Sequence, residues 1–319
     1  MSDPSQTTES AELAALKARD RGARRFHLIM VVMAVMLTAC DLVVARIAHV
    51  GTHEYFLGAA YSLLLLGIAL GYSRWRRLTR MVDASELLMW AVVFTSVLSV
   101  LIQLAGRSPS PLIDDKLSQL DADLHFKTAS AVQLVARVPA IRKALLFSYE
   151  LAGPLIIVSV MLPPLLGYAN AARRYMLGIV LGLVVIAGIF SIWPAAGPWT
   201  TEGFAPTAEQ AAVTSYLARL KSPDPATLDM DDAGIVAFPS FHVLLAILTA
   251  AALSAIRWLR APAWALAILA GIATLTTGWH YLVDVLGGIV LAVLLLCVVN
   301  FLLPSGRRIE CAASQTGDS

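Results

Sequence analysis

The chain has 319 residues, 58% of them hydrophobic and 14% charged, with a mean hydropathy of +0.73 and a net charge of +2. Soluble domains carry roughly 25% charged residues, so the composition excludes an ordinary soluble fold, and a near-neutral balance argues against a nucleic-acid partner. The cysteines, Cys40, Cys297 and Cys311, form no CxxC pair and read as filler thiols without a disulfide framework or zinc site.

Residues 1–26 form a polar tail, and the composition of the first 20 predicts disorder. Eight apolar runs follow, at about 27–48, 56–72, 86–105, 145–168, 175–194, 239–257, 262–279 and 281–303. Each approaches the roughly 20 residues needed to cross a bilayer. The first run follows a polar segment and has no small-residue cleavage site, so it reads as a span rather than a signal peptide. Residues 304–319 make a second polar tail. The expected fold is an all-α polytopic membrane protein with about eight transmembrane helices.

Basic residues fix an expected orientation. Lys17, Arg19, Arg21, Arg24 and Arg25 precede span one; Arg74, Arg76, Arg77 and Arg80 follow span two. Arg173 and Arg174 follow span four, Arg257 and Arg260 span six, and Arg307 and Arg308 span eight. Both ends and every second connection are basic, so the positive-inside rule predicts two cytoplasmic termini in an inner (cell) membrane. The long 195–238 loop, with Glu202, Glu209, Asp224, Asp229, Asp231 and Asp232, then lies outside. Residues 106–144 mix Leu112, Leu117, Leu120, Leu124 and Phe126 with Asp114, Asp115, Asp121 and Asp123. That pattern predicts short amphipathic helices on the outer membrane surface, either roofing a site or serving as a solvated connector.

Two polar clusters open apolar helices on the outer face: "FPSFH" before span six and "WHYLVDVLGG" before span eight. His280 and Asp284 are four residues apart, one helical turn, so the carboxylate can hold the imidazole N–H and stabilise its cation. Pro239 suits a first helical turn, whose free N–H groups, with the Ser240 hydroxyl, make an anion pocket. Two histidines beside such a pocket suit phosphoryl transfer, one attacking phosphorus and the other protonating the leaving oxygen. The remaining polar residues have plainer readings: His27, His49 and His53 interfacial, His125 solvated, Asp41 and Arg46 paired with neighbours or facing the bundle. Tyr149 and Glu150, in the outer half of span four, either face the pocket or bond between helices.

"FPSFH" and the later "TTGWHYLVDVLGG" resemble the second and third motifs of the type 2 phosphatidic acid phosphatase superfamily. The closer likeness is to its inositol phosphorylceramide synthase-like branch, through PS-x-H and HY-x-x-D-x-x-G. "PLIDDKLSQLDADLHF" and "WPAAGPW" resemble upstream segments of that branch, and the likeness covers about 106–303. It implies a catalytic membrane domain over 106–303 behind N-terminal helices at 27–105. It implies His280 as nucleophile through a phosphohistidine, Asp284 as its orienter, His242 as general acid and Ser240, beside Phe241, as a phosphate ligand. Two departures stand out. The family's Lys-x6-Arg-Pro motif is absent, and its Ser-Arg pair reads Ala273-Thr274 here. Arg137, Arg142 and Lys143, near the outer start of span four, are candidate substitutes, with Tyr149 as a further pocket residue; their plainer reading is as interfacial cations.

Three function classes compete. A membrane phosphatase or phosphotransferase acting on a lipid phosphate or diphosphate, metal-independent and without cofactor, fits best. A metal-dependent oxidoreductase lacks the HxxxH or HxxHH clusters it needs, and a transporter lacks an inverted repeat. A Ser240–His280–Asp284 hydrolase is a weaker variant, with no nucleophile elbow. Among phosphoryl-transfer reactions, hydrolysis is placed ahead of headgroup transfer to a lipid alcohol. The expected partners are the lipid substrate and the bilayer, with no nucleic acid.

Overall fold

The computed structural model describes residues 4–47, 53–222 and 237–304, with side chains at 21–46, 60, 62–222 and 237–304. His49 and the side chain of His53, Asp224 to Asp232, Arg307, Arg308 and Cys311 lie outside that description. The regular secondary structure of the described residues is all helical, with no strand. In chain order the helices are α1 (Pro4–Ile47), α2 (His53–Trp75), α3 (Thr79–Gly106), α4 (Asp114–Asp123), α5 (Thr128–Ala136) and α6 (Pro139–Glu150). There follow α7 (Ala152–Leu165), α8 (Ala169–Ile192), α9 (Ala208–Leu220), α10 (Phe241–Leu253), α11 (Arg260–Thr276) and α12 (Leu282–Leu302). Short 3-10 turns occupy Pro198–Thr200 and Arg257–Leu259.

Every predicted apolar run is helical, but the spans differ from the expectation. Five described helical stretches are long and apolar enough to cross a membrane, at Arg21–Arg46, Thr79–Gly106, Ala169–Ile192, Arg257–Thr276 and Leu282–Leu302. A sixth is the bent pair α6–α7, kinked by 45°. The helical stretch around span four therefore starts at Pro139 rather than 145, because proline suits a first turn and starts the helix early. α1 likewise begins inside the polar N-terminal segment. α10 has 13 residues.

α8 is the axle of the bundle. In its most apolar stretch 56% of residues are buried, against 17% for α1. It packs on α3, α7, α10 and α12, and Tyr175, Leu177, Val180 and Ile186 join Leu244, Leu248, Leu295 and Val299 in the main core. Gly178 and Gly182 let α10 and α12 close on it, since a β-carbon at Gly182 would lie 3.1 Å from both Leu244 and Leu295. α1 and α2 flank α3. In α1, Asp41 is fully buried and neither carboxylate oxygen has a hydrogen-bond partner, while Arg46 is exposed, so these two do not pair. His27 bonds Trp90 at 3.1 Å and Glu86 at 3.1 Å.

The connector over 106–144 is not a solvated loop. Buried Asp114 and Asp121 turn α4 inward, onto the start of α12. In the long loop after α8, α9 is anchored by a Thr207–Gln210 capping box, and Gln210 donates to the carbonyls of Thr277 and Gly278.

Candidate active site

The site forms where the starts of α10 and α12 meet. Ser240 caps α10, its Oγ accepting from the Val243 N–H at 3.4 Å. Pro239 thus stands outside the helix, after a cis Phe238–Pro239 bond, rather than in its first turn. Among the described residues nothing accepts from the N–H groups of Phe241 and His242, the arrangement expected at a helix start that could take an anion. The Ser240 N–H donates to the Asp284 carbonyl at 3.0 Å, which ties the two helix starts together. The paired glycines of "VLGG" allow the approach. A β-carbon at Gly288 would lie 2.6 Å from the Ser240 carbonyl oxygen, and one at Gly287 3.1 Å from Pro239.

His280 does not share a helix with Asp284. Gly278, at φ +77°, turns the chain, and α12 starts only at Leu282. Asp284 lies in the first helical turn and accepts from the Tyr281 N–H at 2.9 Å, which ends the helix before His280. The two side chains still meet: His280 Nδ1 is 3.0 Å from the Ala237 carbonyl and 3.4 Å from Asp284 Oδ2. Both neighbours are acceptors, so Nδ1 carries the proton and Nε2 keeps the lone pair. His280 is only 3% exposed, and burial pushes its imidazole down to about 4, so the ring is neutral near pH 7.

His242 faces it, with ring centroids 6.0 Å apart. Tyr149, from α6, stacks on His242 at 4.3 Å and reaches its Nδ1 with the hydroxyl at 3.4 Å. Below His242 an apolar cavity of about 320 Å³ opens between α3, α7, α8 and α10, lined by residues including Phe94, Ile102, Ile156, Ile186 and Phe241.

Residues that the sequence placed on amphipathic helices at the membrane surface hold this arrangement. Asp121 accepts from the N–H groups of Leu282 and Val283, at 2.7 and 2.9 Å, capping α12 from another helix. Asp114 accepts from the Ala196 and Gly197 N–H groups and from the Tyr281 hydroxyl. Burial raises both carboxyls above the usual range, and these N–H bonds oppose it. Thr128 donates to the His280 carbonyl at 3.3 Å. "PLIDDKLSQLDADLHF" and "WPAAGPW" are thus bonded to each other and to the loop that presents His280.

The cations expected to replace the missing clamps are elsewhere. Arg137 closes α5, Arg142 and Lys143 begin α6, and all three are exposed. Among the described residues, no lysine or arginine bonds to His242, His280 or Ser240. Thr274, where the family motif has arginine, is fully buried and returns its hydroxyl to the Gly271 carbonyl. No described group of three or more His, Cys, Asp or Glu side chains has the arrangement of a metal site.

The sequence profile of the PAP2 superfamily matches residues 115–298, from α4 to the last turn of α12. The chain belongs to the PAP2 superfamily. No curated protein and no solved structure matches it. PAP2 membership and the apolar helices make it an integral membrane protein, and membership points to phosphatase or phosphotransferase activity. The matched region contains both histidine segments and Asp121, while Asp114 lies just before it.

Proposed function

We propose that this PAP2 protein removes or transfers the phosphate of a membrane lipid through a phosphohistidine at His280. The observation that carries the proposal is the pair of imidazoles 6.0 Å apart, one of which, His242, lines an apolar cavity that suits a lipid chain. In the first step His280 Nε2 bonds to phosphorus as the bond to the leaving oxygen breaks, and the protonated imidazolium of His242 gives that oxygen a proton and becomes neutral. Asp284 and the Ala237 carbonyl stabilise the cation that forms on His280. In the second step His242 takes a proton from the acceptor, whose oxygen displaces His280. The unpartnered Phe241 and His242 N–H groups, at a helix start capped by Ser240, receive phosphoryl oxygens. Tyr149 fixes the ring of His242. Exposed Arg137, Arg142 and Lys143 attract the headgroup from a distance rather than grip it. No metal takes part, so activity should persist in chelator.

Hydrolysis of a lipid phosphate or diphosphate is our first choice of reaction. Transfer of a phosphate-headgroup to a lipid alcohol, as in the inositol phosphorylceramide synthase-like branch, is the second. The observation favouring it is that among the described residues no lysine or arginine bonds to His242 or His280, which suits the single charge of a phosphodiester. On the positive-inside rule both termini face the cytoplasm of a cell (inner) membrane, with the site on the periplasmic or extracellular side. Product analysis in a lipid mixture tests the reaction. Free phosphate released in step with substrate loss supports hydrolysis; a new phospholipid with little free phosphate installs the transferase. No turnover of any lipid phosphate or phosphodiester would end both readings. Substituted cysteines at 207 and 215 should react with an impermeant thiol reagent from outside, and ones at 74–80 should not; the reverse pattern would invert the topology.

A further inference from the structure

A second, larger cavity lies at the other end of the bundle. It measures about 950 Å³ and is framed by the start of α8, the ends of α10 and α12, and the turn before α11. Counting 16 residues along α12, from Asp284 to Asn300, puts its floor roughly 24 Å from the histidines. Arg174, Arg257 and Arg260 line it with Tyr168, Asn170 and Asn300, and no described aspartate or glutamate lines it.

The charge balance there is unusual. Neighbouring Arg173 is neutralised inside the fold by Asp83, at 2.7 Å. Among the described residues the other three arginines have no carboxylate partner: Arg174 bonds only the Asn300 side chain at 3.3 Å, Arg260 only the Ser254 carbonyl at 3.4 Å, and Arg257 has no hydrogen bond. Arg174 is also half-buried, so its cation is partly removed from water without a counter-charge. The inner wall is apolar, from Leu248, Ala252, Leu296 and Val299. Guanidinium groups converging over an apolar wall match a phosphate attached to a hydrocarbon chain.

We propose that this cavity binds the phosphate of an anionic phospholipid, at a site separate from the catalytic histidines. The shared chemistry, a phosphate anion, also admits free phosphate, and the experiment separates the two sources. The full-length protein is stripped of lipid in neutral detergent. Thermal unfolding and native mass spectrometry are then followed with phosphatidylglycerol, phosphatidylcholine or inorganic phosphate added. An Arg257→Gln/Arg260→Gln variant and an Arg174→Gln variant are run alongside. Wild type should prefer phosphatidylglycerol over phosphatidylcholine by on the order of tenfold. Both variants should lose that preference while keeping wild-type unfolding in detergent alone and wild-type turnover of a soluble aryl phosphate. The same arginine-dependent protection from inorganic phosphate without phosphatidylglycerol would keep the anion site but overturn the lipid assignment. A preference that survives in the variants, or that is absent from wild type, overturns the site. Because His280→Ala should keep the preference, the outcome does not depend on the catalytic reading.

Discussion

Gly288→Ala tests how far the spacing of the two histidines depends on the contact between helix starts. The new β-carbon would sit 2.6 Å from the Ser240 carbonyl oxygen and 3.2 Å from the Val243 β-carbon. Ordinary contact begins near 3.4 Å, so the backbone at Ser240 must retreat by about 0.8 Å, and backbone cannot swing aside as a side-chain tip can. Ser240 caps the helix that begins Phe241-His242, so His242 moves with it. A misplacement of about 1 Å at a reacting group costs on the order of 100-fold in rate, and overpacking costs about 1–3 kcal/mol of stability. The variant should therefore fold with a lowered melting temperature and turn over an aryl phosphate about 100-fold more slowly, mainly through kcat. Gly287→Ala, whose new contacts at 3.1 and 3.3 Å are with side chains, should lose far less. Wild-type kcat in Gly288→Ala would refute the argument that this contact sets the distance between the rings.

His280→Ala should abolish turnover on every substrate, whereas His242→Ala should spare an activated aryl phosphate that needs little protonation; labelled phosphate trapped on wild type but not on His280→Ala checks the covalent step. Asp121→Ala removes two charge-assisted caps from α12 and should cost about 2 kcal/mol, read as a lower melting temperature by tryptophan fluorescence, with Asp115→Ala as the exposed control. Burial holds His280 down to about 4, so protonation of the proposed nucleophile should halve activity near pH 4 and not at the ordinary 6.5. With an aryl phosphodiester, which does not itself titrate in this range, kcat/KM should hold its plateau down to about pH 5; an acid limb centred at 6.5 would contradict the buried, neutral ring. The same shift opposes folding in acid, because an unfolded chain takes up the proton below 6.5 while the folded site resists it until about 4.

The apolar runs and the histidine segments were legible because hydrophobic length and motif spacing are local properties. His242, His280 and Asp284 do converge, and the helix start at Ser240 does keep unpartnered N–H groups. The details that escaped depend on distant partners. Asp121 reads as one more charge on an amphipathic stretch, since the N–H groups it caps lie 161 and 162 residues further along. The helical phase of His280 was misread because spacing alone does not reveal that Asp284 bonds the Tyr281 N–H and begins the helix there. Proline 239 was assigned to a first turn because nothing in the sequence marks its peptide bond as cis. Arg174, Arg257 and Arg260 carried a topology signal strong enough to hide that they face one cavity.

The length of α10 connects the two ends of the molecule. Its 13 residues span about 20 Å, some 10 Å less than the hydrocarbon core of a bilayer. Its longer neighbours α8 and α12 overreach it, so the shortfall appears as a recess at each end. One recess is the mouth where His242 meets His280; the other is the hollow rimmed by arginines. One extra turn of helix would fill a recess, and a turn removed would deepen one. On the proposed function, the depth at which a phosphate would enter the membrane to react is set by the count of residues between Ser240 and Ser254.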